Sequence, residues 1–256
     1  MPLKLMYITN SEDVAHIAEE AGVDRIFVDM EYIGKTDRQG GMDTVQSRHT
    51  ADDVRRLAQC LNKAELFVRV NPIHEKTDEY NSSKEEIDEA IEAGADLLML
   101  PYFKTAEEVQ TFVKYVNGRA KTVLLVETPE AAAIAEDLVQ IPGIDEMFIG
   151  LNDLSLGYGK NFMFELLLDG TVEELCLKFR KGGIPYGFGG IASLGKGMLP
   201  SEYVIKEHYR LGSACAILSR SFCRTGQVTD LKEIQKIFEI ELPKIRELEE
   251  ECRVHS

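Results

Sequence analysis

The chain has 256 residues, 44% of them hydrophobic, and a formal net charge of -15 from 44 acidic against 29 basic side chains. That acid excess excludes nucleic-acid or anionic-membrane binding through bulk electrostatics, so an anionic ligand would need a local basic pocket. Five cysteines without CxxC spacing, no membrane-length apolar run, and an N-terminus (MPLKLMYITN) lacking a signal-peptide core together predict a soluble, cytoplasmic protein with reduced thiols.

In chain order, short apolar runs predict strands near 3–8, 25–29, 66–70, 97–100, 122–126, 146–150, 185–189 and 214–218, with helical patterns between them, including one over 129–139. Three helical segments end in Gly, an apolar residue and Asp before a strand: AGVDRIFVD (21–29), AGADLLML (93–100) and PGIDEMFIG (142–150). A fourth copy, LGSACAILS (211–219), keeps the glycine, which suits the left-handed position past a helix end. Strict strand and helix alternation with near-continuous apolar strands predicts a parallel sheet covered by helices. Eight such units, with no linker dividing residues 1–256, predict one (β/α)8 TIM barrel with an extra C-terminal helix in EIELPKIRELEEECRVHS. An open doubly wound sheet is the alternative, but the first strand-to-helix turn, ITNSEDV, lacks GxGxxG.

In such a barrel the chemistry sits at the C-terminal strand ends. Strand two ends in VDMEY, offering Asp29, Glu31 and Tyr32; strand three carries Arg69 in FVRVN; strand five offers Glu127; strand six offers Asn152 and Asp153. Glu127 and Asp153 follow neighbouring strands, so they can converge on one hard cation such as Mg2+ or Mn2+. The plain alternative is that Glu127 caps the next helix and Asp153 caps its own turn. Arg69, inside an apolar run, must meet an acid or a bound anion; a salt bridge to Asp29 or Glu31 would satisfy it.

The combination of FVDME, VRVN, EAGADLLMLP, VETPEA and GIDEMFIGLNDLSLGYG resembles the HpcH/HpaI aldolase and citrate lyase family, over about residues 20–160. The resemblance implies a divalent metal held by Glu127 and Asp153, a 2-oxo acid chelating it, Arg69 stabilising the enolate oxygen, and Asp29 beside Arg69. It implies a class II carbon-carbon lyase acting on a 2-oxo acid and an aldehyde, and a homo-oligomer. Two other readings stay open: a citrate-lyase-like enzyme acting on acyl-CoA, and a barrel that only binds a ligand.

The chain departs from the family pattern at Tyr32, where the family's DxEH places a histidine, and at Leu125, where a polar residue often precedes the metal glutamate. His49, in the polar segment GKTDRQGGMDTVQSRHTADD (34–53), is the candidate substitute as general base, with Arg38, Gln39 and Arg48 reading an anionic or sugar-like substrate. Alternatively this stretch is ordinary helix-start chemistry, with Thr50 as the cap. The loop GGIASLGKG (189–197) has GxxxxGK spacing in Gly190, Gly195 and Lys196, but Gly197 replaces the metal-binding hydroxyl, so it predicts an anion site rather than an ATPase. Gly189, Gly190, Lys196 and Arg220 are its candidate binding residues; a plain turn is the other reading. His208 is expected on a helix surface or subunit contact, and His16 as structural. The polar loop and the phosphate-like turn suggest a sugar-related substrate.

Overall fold

Eight parallel strands close into a barrel in chain order: β1 (Lys4–Ile8), β2 (Arg25–Asp29), β3 (Glu65–Arg69), β4 (Leu97–Leu100), β5 (Lys121–Val126), β6 (Glu146–Ile149), β7 (Tyr186–Ile191) and β8 (Cys215–Leu218), with β8 pairing back onto β1. This computed structural model describes residues 1–34, 48–225 and 227–254; Arg38 and Gln39 lie outside them. The helices are α1 (Glu12–Glu20), α2 (Ala51–Cys60), α3 (Ser83–Glu92), α4 (Ala106–Val116), α5 (Pro129–Ala133), α6 (Ala135–Leu138), α7 (Leu151–Gly157), α8 (Glu165–Leu168), α9 (Thr171–Lys181), α10 (Ser201–Leu211) and α11 (Leu231–Val254). The helix expected over 129–139 is two short pieces, because Ile134 (φ -97°, ψ 13°) leaves the helical region.

The repeated Gly-x-Asp has a structural cause. Gly22, Gly94 and Gly143 all take positive φ, turning the chain back toward the sheet. The aspartate that follows then caps the preceding strand: Asp24 accepts the Leu5 amide at 2.8 Å, Asp96 the Leu66 amide at 2.7 Å and Asp145 the Thr122 amide at 2.8 Å. Each repeat therefore staples two strands at the N-terminal end of the barrel. Capping boxes start α2, α3 and α4 at Thr50, Ser82 and Thr105, so the helix-start reading of Thr50 holds.

Successive strand residues alternate faces, so Arg25, Phe27 and Asp29 point inward beside Glu65, Phe67 and Arg69, their register partners on β3. The middle layer is apolar, built from Met6, Phe27, Phe67, Met99, Leu125 and Phe148. A larger apolar layer fills the space between the strands and the surrounding helices. The C-terminal α11 packs on α1 and α10, and its buried Glu249 accepts the Leu3 amide at 2.7 Å, tying the last helix to the start of β1.

His208 is not on a surface. It is 0% exposed, stacks on Phe188 with centroids 3.9 Å apart, and shares a proton with the Ser213 hydroxyl at 2.8 Å. Burial pushes its pKa down to about 3, so it is a neutral core side chain. Its helix turns this face inward because Val204, Ile205 and Leu211 share it. No helix among the described residues is long and apolar enough to cross a membrane.

Candidate active site

Arg69 ends β3 directly opposite Asp29, the end of β2. Its Nε and Nη2 donate to the two Asp29 oxygens at 2.8 and 2.7 Å, and Glu31 Oε2 lies 3.5 Å from Nε. Burial alone would lower the pKa of this guanidinium, but the charges of Asp29, Glu31 and Glu127 override it and raise it, so Arg69 stays a cation. The salt-bridge reading of Arg69 is thus satisfied, and it leaves Nη1 without a protein partner among the described residues.

Glu127 follows β5 and is 3% exposed. It does not cap the next helix; Thr128 does, accepting the Ala131 amide at 3.0 Å. Instead Glu127 Oε1 accepts the amide of Tyr102, at 3.0 Å. Tyr102 follows β4 with φ 48°, a left-handed conformation uncommon for an aromatic residue, and that backbone turn aims its N–H at the carboxylate. On the other side, a Cβ at Gly150 would sit 2.8 Å from Glu127 Cβ and 2.9 Å from Oε2. Glycine after β6 is what makes room for this carboxylate. Asp153 lies three residues on, in the first turn of α7, where the helix N-terminus favours a negative charge. Asn152 adjoins it, partly buried, its carbonyl accepting from the Ser155 hydroxyl at 2.7 Å.

His49 reaches the same end of the barrel. Its Nδ1 lies 3.0 Å from the Asp29 amide nitrogen. A backbone N–H can only donate, so Nδ1 carries the lone pair and Nε2 the proton. In this tautomer His49 is a hydrogen-bond donor; service as a base would require it to leave Asp29. Arg48 is exposed.

The loop after β2 is fastened by Asn71, whose Oδ1 accepts the amides of Tyr32 and Ile33 at 2.8 and 2.9 Å and whose Nδ2 donates to Glu86 at 2.8 Å. Burial pushes the Glu86 carboxyl up to about 7. Beside them a cavity of about 510 Å³ is lined by Tyr32, His49, His74, Tyr80, Asn81 and Glu86 among others. Tyr32 meets Tyr80 edge-on at 6.4 Å, and burial with the nearby Glu86 raises its pKa, so the phenol is protonated at neutral pH. Leu125 points into the barrel's apolar layer.

The remaining candidates lie on the other side. Gly189 (φ 53°) and Gly190 sit in β7 at an irregularity in its pairing with β8. Lys196 and Arg220 are exposed. The Lys196 amide donates to Ser193 O at 3.0 Å and the Ser219 amide to Ile191 O at 2.7 Å, so these two loop amides close turns rather than point at a ligand. His16 is exposed beside Glu19 and Glu20, and Glu19 is spent on the amides of Asn62, Lys63 and Ala64.

The HpcH/HpaI aldolase/citrate lyase profile matches residues 4–167. This chain belongs to that family. No curated protein gives a significant sequence match. Among solved structures, a HpcH/HpaI aldolase/citrate lyase family protein from Burkholderia cenocepacia J2315 is 16% identical with a TM-score of 0.68, over 91% of this chain and 95% of that one. The HpcH/HpaI aldolase from Desulfitobacterium hafniense DCB-2 is 15% identical with a TM-score of 0.65, over 91% and 93%. The citrate lyase beta subunit of M. tuberculosis, complexed with oxaloacetate and magnesium, is 13% identical with a TM-score of 0.58, over 92% and 96%. At these identities the likeness is one of fold, and the family match carries the lyase assignment.

Sequence reasoning did not find Tyr102, Asn71 with Glu86, or the reason for Gly150. Each acts through a backbone group or a close approach, which residue type alone does not announce.

Proposed function

We propose that this HpcH/HpaI family member is a metal-dependent carbon-carbon lyase, a class II aldolase that cleaves or forms a 2-oxo acid through a pyruvate-type enolate. The observation that carries this reading is the seat of Glu127: it is 3% exposed at the C-terminal end of the barrel, its Oε1 held by the Tyr102 amide and its space kept open by Gly150, with Asp153 in the first turn after the neighbouring strand. Carboxylate oxygens fit a hard divalent ion such as Mg2+ or Mn2+, and Glu127 with Asp153 as its side-chain ligands would leave positions for water and substrate. When bound there, the ion supplies positive charge next to the 2-oxo group.

The protein's own part follows from its geometry. Asp29 locks two nitrogens of Arg69, which fixes the plane of the guanidinium and presents Nη1 to the C2 oxygen of the 2-oxo acid. As the C3–C4 bond breaks and the C4 hydroxyl gives its proton to water, the C3–C4 pair becomes the C2=C3 bond and the carbonyl π pair moves onto the C2 oxygen, where a donor already in place costs no reorganisation. The Tyr102 amide and Gly150 hold the Glu127 carboxylate in one orientation. His49 presents Nε2–H to the aldehyde oxygen, which in the addition direction becomes an alkoxide and takes its proton from water. The cavity next to His49 has Asp52, Asp78, Glu79, Glu86 and Glu89 in its lining against one cation, Lys76, with Tyr32, Tyr80 and Asn81 beside them, which favours a hydroxylated aldehyde of the sugar type without negative charge.

The test is release of pyruvate from 4-hydroxy-2-oxo acids of graded chain length, read with lactate dehydrogenase. Cleavage is expected only after Mg2+ or Mn2+ is returned to EDTA-treated protein, and not in Glu127→Gln or Asp153→Asn. Full cleavage in EDTA, unchanged in both variants, would sink the proposal.

A further inference from the structure

On the far side of the barrel mouth a second cavity, of about 640 Å³, lies between residues 196–198 after β7, residues 221–224 and 227–228 after β8, and α11. Its walls include Phe222, Val228 and Ile237, with Phe222 only 2% exposed and Val228 and Ile237 packed on the core. Among the described residues its charged lining side chains are Lys196 and Arg224, with no acid beside them.

In a chain with 44 acidic and 29 basic residues, that is an unusual local balance. Six other surface arginines, Arg55, Arg56, Arg119, Arg210, Arg246 and Arg253, each pair with a carboxylate. Lys196 and Arg224 have no ion-pair partner among the described residues, although both border an apolar recess that sharpens their field. The recess has the size of a small-molecule site. Recognition here rests on side chains, since the Lys196 and Ser219 amides are already bonded within their own turns.

We propose that this cavity binds an amphipathic anion, with a phosphate or carboxylate head between Lys196 and Arg224 and an apolar tail against Phe222, Val228 and Ile237. The guanidinium offers a fork that matches either head group, the ammonium a point charge, and the apolar wall a tail of several methylenes. This keeps the anion-site expectation for Lys196 but moves its basis from glycine-rich backbone to a pair of cations, one of which, Arg224, the sequence did not mark. The site stands apart from Glu127 and does not depend on the proposed lyase reaction.

Calorimetric titration of the full chain with octyl phosphate, octanoate, inorganic phosphate and octanol tests it. Both amphiphiles are expected to bind, the tighter one naming the head group, with inorganic phosphate and octanol each weaker by about tenfold or more. Lys196→Gln and Arg224→Gln should each weaken octyl phosphate by about tenfold. Both side chains are exposed and unpartnered, so thermal unfolding of the two variants should match the parent. Absence of heat with both amphiphiles, binding indifferent to both substitutions, or octanol binding as tightly as octyl phosphate would overturn the proposal.

Discussion

The two ends of the barrel each hold an arginine between two carboxylates, with different charges added around it. At the N-terminal end Arg25, 0% exposed, donates to Glu146 at 2.7 and 2.5 Å and to Glu65 at 2.9 Å, and Glu65 also meets Lys121 at 2.5 Å. Burial would raise the Glu65 pKa, but Lys121 and Arg25 hold it down at about 2. At the C-terminal end Arg69 faces Asp29, Glu31 and the field of Glu127. Between them Phe27 and Phe67 pack at 4.8 Å, each with a guanidinium on its outer side, Arg69 at 5.7 Å and Arg25 at 5.8 Å. The same two strands thus carry an arginine whose partner Glu65 also meets Lys121 and Lys4 at one end, and an arginine that feels a further carboxylate, Glu127, at the other. The first cluster contributes structure, whereas the second lies at the strand ends where a barrel of this kind carries its chemistry.

The largest expected effect breaks the balanced end. Arg25→Met leaves the partly buried Glu146 without its cation and should cost about 3–5 kcal/mol in urea unfolding, with Arg25→Met/Glu146→Leu recovering most of it. A double variant as unstable as the single one would mean that packing rather than charge balance matters there. At the other end, Arg69→Lys keeps the charge but loses the fork to Asp29, and turnover should fall about 100- to 1,000-fold, or about 2.7–4 kcal/mol. Unchanged turnover would remove Arg69 from the chemistry.

Glu86 sharpens the comparison through pH. Its folded pKa, about 7, lies above the ordinary carboxylate value, so the folded state holds a proton that the unfolded state has released between about pH 4.5 and 7. Its contribution is therefore present at low pH and lost as pH rises through that window, a change of about 2 kcal/mol between wild type and Glu86→Gln. A difference between the two that is flat from pH 5 to 7.5 would contradict this. The smallest effect is at Glu127: in EDTA, Glu127→Gln keeps an acceptor for the Tyr102 amide and should leave stability within about 1 kcal/mol of the parent, where the same change at Glu146 breaks the Arg25 pair and lowers it. Loss of stability at both positions would erase the distinction between the two ends.

The barrel was legible because its signals are repeated and local. Eight apolar runs and the Gly-x-Asp punctuation predict the strands to within two residues at each end. The carboxylates at strand ends were legible for the same reason, since topology alone places Asp29, Glu127 and Asp153 at one mouth. What was not legible depends on three-dimensional neighbours. Arg25 reads as an ordinary strand-start charge until Glu65 and Glu146 arrive from strands 40 and 121 residues away. Tyr102 contributes through a backbone amide, which any residue carries. His208 lies on a face that combines apolar and polar residues, and its burial is decided by Phe188 across the sheet.

The central claim, that the acidic end of the barrel stabilises a pyruvate-type enolate with a divalent ion, is most directly tested by NMR of pyruvate methyl protons in D2O. With Mg2+ or Mn2+ the protein should exchange those protons for deuterium, and EDTA or Glu127→Gln should abolish exchange while the balanced-end variant Arg25→Met/Glu146→Leu retains it. Exchange that persists in EDTA and in Glu127→Gln would contradict the account.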